Sequence, residues 1–281
     1  MSDPYVYENG TLRNKLGVED ASELSVREDQ LTAARQAILI RKGVEAPFDF
    51  AKLKEIHRQI FQDVYEWAGK PRTCELRKAA YLSEDEDPQQ FTPSSKIEAE
   101  AKRIFGSLTQ GGELRGLSHS SFTEAAADLF VEINNLHPFR EGNGRAQRIF
   151  LNALAKNAGH ELAFDVVTRE RMIAVSVSGL SGDVEGAKRL FLEISDPRRV
   201  MALRKALTFL KTSTAVPWND LYIATTTAGQ AYAGVLVGMA SEDYMMRVSE
   251  APQDWIAIGD IGDLPENLSA GDNLSVTAKR F

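Results

Sequence analysis

"LHPFREGNGRAQRIF", Leu136 to Phe150, gathers one histidine, one carboxylate, two glycines around an asparagine and three arginines into fifteen residues. A surface loop needs no such assortment, and a core segment would leave these polar groups without water or partners. Pro138 disfavours the α region at the residue before it, so a helix is expected to end near Leu136 and His137 to follow in an extended conformation, facing a cleft. A histidine titrates near neutral pH and is able to take a proton from a hydroxyl. Phe139 is expected to anchor the loop inward. Glu141 is a hard oxygen ligand suited to Mg²⁺ when phosphates supply the other ligands. Gly142 and Gly144 let the backbone approach an anion, with the Asn143 side chain as a donor between them. A helix beginning near Asn143 points its N–H groups and positive dipole end at the same place. Arg145 and Arg148, three apart on that helix, lie on one face and suit two phosphates. Together these residues read as a triphosphate cradle with a metal and a base, without the Walker A order.

Outward from this stretch, the first part of the chain has helical patterning. "SVREDQLTAARQAILIRKG" carries a capping box at Ser25 and Glu28 and stops at Gly43. In "FDFAKLKEIHRQIFQDVYEWAG", Leu53, Ile56, Ile60, Phe61 and Val64 form one apolar stripe. His57 beside that stripe, Tyr65 and Trp67 read as packing residues. Ser121 and Glu124 form a second capping box ahead of Leu129, Phe130 and Ile133. His119 and His160 show no metal-ligand spacing. Between the helical blocks, "RTCELRKAAYLSEDEDPQQFTPSSK" reads as an exposed hairpin: a short strand pair in its first half, then an acidic extension from Ser83 to Pro88.

After "SDPRRVMALRKALTFLKT", a connecting helix with Pro197 in its first turn, the pattern changes. "LYIAT", "AYAGVLVGMA", "YMMRV", "WIAIG" and "LSVTA" are short runs between turn residues, the spacing of a small β-barrel. The expected organisation is an α-domain over 1–195 with a flap at about 72–92, a linker helix over 196–213, and an all-β module over 214–281.

The composition narrows the functional classes. Of 281 residues, 43% are hydrophobic and 26% charged, the balance of a soluble globular chain, and no apolar run is long enough to span a bilayer. The net charge is −7, and the stretch from Ser241 to Asn273 alone carries eight acidic residues against Arg247, so nucleic-acid binding through a basic face is not expected. Tyr222, Tyr232, Tyr244 and Trp255 would otherwise suit a base-stacking face. Cys74 is the only cysteine, which fits a reducing compartment. "MSDPYVYENG" has neither the basic nor the apolar region of a secretory signal.

"HPFREGNGRAQR", His137 to Arg148, resembles the signature of the Fic family, His-x-Phe-x-(Asp/Glu)-Gly-Asn-Gly-Arg-x-x-Arg, at every defined position. "IFQDVYEWAGKPR" is similar to that family's preceding helix and the approach to its flap. The order of parts resembles the type IV secreted Bartonella effector proteins, in which an oligonucleotide/oligosaccharide-binding (OB) fold and then a translocation-signal domain follow the Fic domain. These 281 residues are expected not to include that third domain, and the chain is expected to be part of a longer one.

The resemblance implies a mainly α Fic fold with a β-hairpin flap, followed by a small all-β OB-fold-like barrel. It implies adenylylation, the transfer of AMP from ATP to a Ser, Thr or Tyr hydroxyl with release of pyrophosphate. His137 is then the base and Glu141 the Mg²⁺ ligand. Gly142, Asn143 and Gly144 hold the α- and β-phosphates, Arg145 the β and Arg148 the γ, with Phe139 anchoring the loop. Thr73, Cys74, Glu75, Leu76, Arg77 and Lys78 belong to the flap that aligns a target by strand pairing. Glu84, Asp85, Glu86 and Asp87 would favour targets with a basic surface. The implied partners are host proteins such as small GTPases, reached by translocation from the bacterial cytoplasm into the host cell without a signal peptide. A separate antitoxin-like protein would supply a glutamate to Arg148. "SGDVEG", Ser181 to Gly186, fits the family's inhibitory pattern but reads as a chance match, because Gly182 and Asp183 sit badly inside a helix. Fic-type transfer of another phosphate-containing group, and a non-catalytic scaffold, are the alternatives.

Overall fold

The computed structural model describes residues 3–78, 89–213, 217–249 and 255–281. They form two compact units. The first holds the described residues up to Glu161 with 179–184, and the second holds 162–178 with the described residues from Glu185 onward. Among the described residues no helix is long and apolar enough to cross a membrane.

The first unit is built from α1 (Ala21–Lys42), α2 (Phe50–Phe61), α3 (Ile97–Gln110), α4 (His119–Leu136) and α5 (Asn143–Asn157). Its helix starts correct the expected ones. Asp20 caps α1, accepting the Glu23 N–H at 2.8 Å, so the helix begins four residues before Ser25. Ser118, not Ser121, caps α4 and accepts the Ser121 N–H at 3.3 Å. In both cases an earlier capping side chain takes the orphan N–H groups, and the box residues fall inside the helix. The ends agree with the sequence: α1 stops at Gly43 and α4 at His137. Helix α2 packs on α1, α3 and α5, and α4 packs on α3 and α5, around the fully buried rings of Phe48, Phe61, Phe122, Phe130 and Phe150. The stripe read in α2 faces this core, with Leu53, Ile56, Ile60, Phe61 and Val64 all buried.

The hairpin has its strands on either side of the acidic run, not both in the first half. β1 (Arg77–Lys78) pairs antiparallel with β2 (Gln89–Gln90), Arg77 opposite Gln90. Ser83 to Pro88, including the four acidic residues read as a selectivity element, lies outside the described residues.

The second unit contains most of α6 (Arg169–Leu180), α7 (Glu185–Ser195), α8 (Pro197–Ser213) and one five-stranded sheet. Its strands are β3 (Ile223–Thr225), β4 (Ala231–Met239), β5 (Asp243–Val248), β6 (Trp255–Asp260) and β7 (Asn273–Thr277), at the five places the sequence marked. Their order is β3-β6-β5-β4-β7, with β3 parallel to β6 and the remaining pairs antiparallel. Helix α8, read from sequence as a connector, buries Ala202, Leu203, Ala206, Leu207 and Leu210 and packs on β3 and β6. Tyr232, Tyr244 and Trp255 lie in the core of the sheet, so they offer no stacking face.

A fully buried ion pair joins the helices of this unit to the sheet. Arg171 Nη1 lies 2.9 Å from Glu193 Oε2 and donates to the Ile223 carbonyl at 3.2 Å. Arg189 Nε reaches the other Glu193 oxygen at 3.1 Å, and the Thr225 N–H donates to Glu193 at 3.0 Å. Burial opposes charge on Glu193, but Arg171 and Arg189 more than offset this and hold its carboxyl below the usual range. Removing one partner of such a pair strands the other. Glu193→Gln is expected to cost about 3–5 kcal/mol, read as a lowered urea midpoint for the second unit. Arg189→Gln, at the more exposed partner, should cost clearly less.

Candidate active site

The loop from His137 to Asn143 joins α4 to α5, and each of its residues has a defined task. His137 is not extended as expected; it closes α4 as a left-handed C-cap (φ 41°, ψ 60°), its N–H donating to the Ile133 carbonyl at 3.1 Å. The apolar face of α4 carries the helix to Leu136, and only a reversal of the chain brings Pro138 and Phe139 back onto the core. The His137 ring stacks on Phe91, centroids 3.7 Å apart, and Nδ1 donates to the Asn134 carbonyl at 3.3 Å. A carbonyl only accepts, so in this contact Nδ1 is the donor.

Phe139 is fully buried and anchors the loop as expected. Its N–H donates to Asn143 Oδ1 at 2.9 Å, and Asn143 Nδ2 donates back to the Phe139 carbonyl at 2.8 Å. The Asn143 side chain therefore closes the loop through its oxygen and one N–H, while the sequence assigned it to an anion. The main-chain N–H groups at the start of α5 could do that work. Gly142, at φ 84°, precedes α5 without a side-chain cap, so the N–H groups of Asn143, Gly144 and Arg145 have no intrahelical carbonyl. Gly142 has a steric reason as well: a Cβ there would fall 2.2 Å from the Phe61 ring.

Helix α2 makes the floor. Phe61 lies under Gly142, and the Arg145 guanidinium sits 4.7 Å from its centroid. His57, read from sequence as packing, also holds the loop. Its ring stacks on Phe139 at 3.8 Å, Nδ1 accepts the Gly69 N–H at 2.9 Å, and Nε2 donates to the Glu141 carbonyl at 2.9 Å. Desolvation lowers its pKa to about 4, so it stays neutral and keeps both bonds.

The two arginines of α5 have different surroundings. Arg145 is ringed by carboxylates: Glu28 of α1 at hydrogen-bond contact, Glu141 at 3.3 Å and Asp29 at 3.6 Å, with the Thr32 hydroxyl at 3.3 Å. Glu28 also accepts from the buried Tyr65 hydroxyl. Arg148 has no ion pair among the described residues. Desolvation and the neighbouring Arg145 charge push its guanidinium below the ordinary value, and Nη1 lies 3.2 Å from where a Gly144 Cβ would be. A half-buried cation beside another cation, near the amino end of a helix, could take an anion.

Glu141 is half-exposed, accepting from the Gly142 N–H at 2.9 Å as well as from Arg145. Among the described residues no group of three or more His, Cys, Asp and Glu side chains could hold a metal by itself. A lone hard carboxylate fits a magnesium ion that brings phosphate and water oxygens with it.

Of the flap residues, Thr73 is exposed and its N–H donates to the Tyr5 hydroxyl at 3.1 Å, and Leu76 accepts from the Phe91 N–H at 3.4 Å. Glu75 accepts from both Ser94 N–H and Oγ–H, which holds its carboxyl low. Burial raises the Cys74 thiol, so it is not an activated nucleophile. Arg77 and Lys78 form β1. "SGDVEG" forms no inhibitory helix: Ser181 and Gly182 are in a turn, and Glu185 opens α7, exposed and paired with Lys188 at 3.0 Å.

Sequence reading missed Glu28, Tyr65, His57 and Arg72 as parts of this site. Glu28 alone had a legible signal, since Leu24, Glu28 and Thr32 recur every fourth residue along the buried face of α1.

The Fic/DOC family profile matches residues 47–155. A protein adenylyltransferase of Bartonella henselae is 34% identical over 98% of this chain and 52% of its own length. A probable protein adenylyltransferase Fic of Salmonella typhimurium is 34% identical over 70% of this chain and 94% of that protein. The solved type IV secretion system effector protein BepA superposes with a TM-score of 0.87 at 32% identity, covering 99% of this chain and 96% of that one. BepC of Bartonella tribocorum, solved with bound AMPPNP, gives a TM-score of 0.62 at 32% identity over 69% of this chain and 96% of that one. The chain spans about half the length of the Bartonella henselae relative.

The His57 contacts have a pH consequence. Its folded-state pKa lies below the ordinary 6.5, so its contribution to stability is whole above pH 6.5 and is lost as the pH falls toward about 4. The loss is of order 3 kcal/mol. Urea midpoints between pH 7.5 and 4 should therefore fall more steeply for the wild type than for His57→Gln; parallel slopes would refute a buried neutral His57.

Proposed function

This chain belongs to the Fic/DOC family, and from that premise we propose that it transfers AMP from ATP to a Ser, Thr or Tyr hydroxyl of a target protein, releasing pyrophosphate. The observation that carries the reading is Arg148, a desolvated cation with no ion pair among the described residues, near the amino end of α5, into which the loop bearing His137 leads.

On this reading the polyphosphate lies along the N–H groups of Asn143, Gly144 and Arg145, with Gly142 and Gly144 admitting it to the backbone. Arg148 neutralises the γ-phosphate, and Arg145 turns from its carboxylates to the β-phosphate. Glu141 would hold Mg²⁺, which when bound would supply charge neutralisation for the leaving pyrophosphate. Nε2 of His137 takes the proton of the target hydroxyl as that oxygen forms a bond to the α-phosphorus and the bond to the β-phosphate oxygen breaks. Phe91 and the Asn134 carbonyl fix the imidazole. Positioning and charge neutralisation supply most of the rate. Target docking falls to Thr73, Cys74, Glu75, Leu76, Arg77 and Lys78, by addition of a strand to the hairpin.

We take host-cell proteins, small GTPases among them, as the target class, reached by type IV secretion as the BepA likeness suggests. A separate inhibitor that offers a glutamate to Arg148 fits the same geometry. The five-stranded sheet is read as an OB-like module.

The test is incubation of the purified chain with Mg²⁺, host lysate, and ATP labelled at the α or the γ phosphate. Protein label is expected from the α position alone. His137→Ala should abolish label while ATP binding persists, and Arg148→Ala should weaken ATP binding about tenfold, as loss of one charge-assisted contact does. Label from the γ position would make the enzyme a kinase, and undiminished label with His137→Ala would remove the base assignment.

A further inference from the structure

Arg72 stands in the segment between α2 and β1, and its side chain is fully buried. The only carboxylate within 4.0 Å among the described residues is the exposed Glu75, at 3.9 Å. Burial pushes its guanidinium below the ordinary value. Its compensation is three main-chain carbonyls from three places in the chain. Nε donates to His137 at 2.8 Å, Nη1 to Cys74 at 2.7 Å, and Nη2 to Thr92. The Arg72 N–H donates to the Pro138 carbonyl at 2.7 Å, and the Thr92 N–H to Asn135 at 2.9 Å.

Cys74 and Thr92 are the two feet of the hairpin, three residues before β1 and two after β2. His137 is the site histidine, and Phe91, next to Thr92, stacks on its ring. A single planar fork therefore joins both flap feet to the main chain of the histidine. Burying a cation is expensive, and anchoring one strand does not require it. Three diverging acceptors do require a guanidinium, because a lysine ammonium cannot present donors along the same rigid plane.

We propose that Arg72 is a positioning residue that couples the flap to the histidine, so that a target segment docked on the hairpin and the imidazole that deprotonates its hydroxyl are held in one register. This rests on the adenylylation reading for its purpose, while the coupling itself is a property of the fold. Without Arg72 the flap still pairs and ATP still binds, but the acceptor oxygen and Nε2 are no longer fixed relative to each other. Misplacement by about an ångström costs rate on the order of a hundredfold.

The experiment compares wild type and Arg72→Lys, which keeps the charge and loses the fork. Transfer of α-labelled AMP to lysate proteins should fall about tenfold or more, while Mg·ATP binding, read by titration with a fluorescent ATP analogue, stays within about twofold. Equal transfer by the lysine variant would overturn the proposal, as would parallel losses of transfer and ATP binding. Hydrogen exchange of the wild type supplies a readout that needs neither a variant nor activity. The amides of Arg72, Thr92 and His137 should open as one unit with a common denaturant dependence. Separate opening of Thr92 and His137 would sink the coupling. A wild type that labels nothing counts against adenylylation alone, and the exchange data then decide the inference.

Discussion

The loop between α4 and α5 depends on a flat aromatic floor. Phe139 must be buried and Gly142 must turn at positive φ, and both are possible because His57 and Phe61 of α2 lie face-up beneath them. A neutral imidazole is well chosen for the first of these positions. It packs like an aromatic ring, yet satisfies the Gly69 N–H and the Glu141 carbonyl that a phenylalanine would strand. The amino end of α5 is aimed by this floor, and the placing of the arginines follows from it.

Those arginines show how one helix turn carries two kinds of charge. Arg145 and Arg148 share a face, as their spacing required, but α1 offers carboxylates only to the first. A half-buried cation with no ion pair among the described residues is a sharper pointer to a candidate site than the motif's composition is.

Much of this was legible in the sequence where a local signal existed. The apolar period fixed α2, Pro138 fixed the end of α4, and five short runs between turn residues fixed the strands. Helix starts were misplaced because two capping side chains competed within one turn, and the earlier one prevailed at Asp20 and at Ser118. Periodicity cannot show that His137 turns left-handed, since the turn answers to where Phe139 must go. The tasks of Arg72 and Tyr65 were illegible for a related reason: their partners stand 65 and 37 residues away at His137 and Glu28. Glu28 shows the intermediate case, a carboxylate on a readable buried stripe whose partner, Arg145, is 117 residues distant.

The carboxylates around Arg145 have one more consequence. Arg145 and Arg148 bring two positive charges, and Glu28, Asp29 and Glu141 bring three negative ones, so the cradle holds no excess of positive charge. Free phosphate or pyrophosphate entering without a cation would leave an excess of negative charge in a poorly hydrated place. A polyphosphate that arrives with its own divalent ion would leave a smaller excess than the same polyphosphate bare. On the proposed reading, charge balance would favour a metal-loaded polyphosphate over the same polyphosphate without its cation.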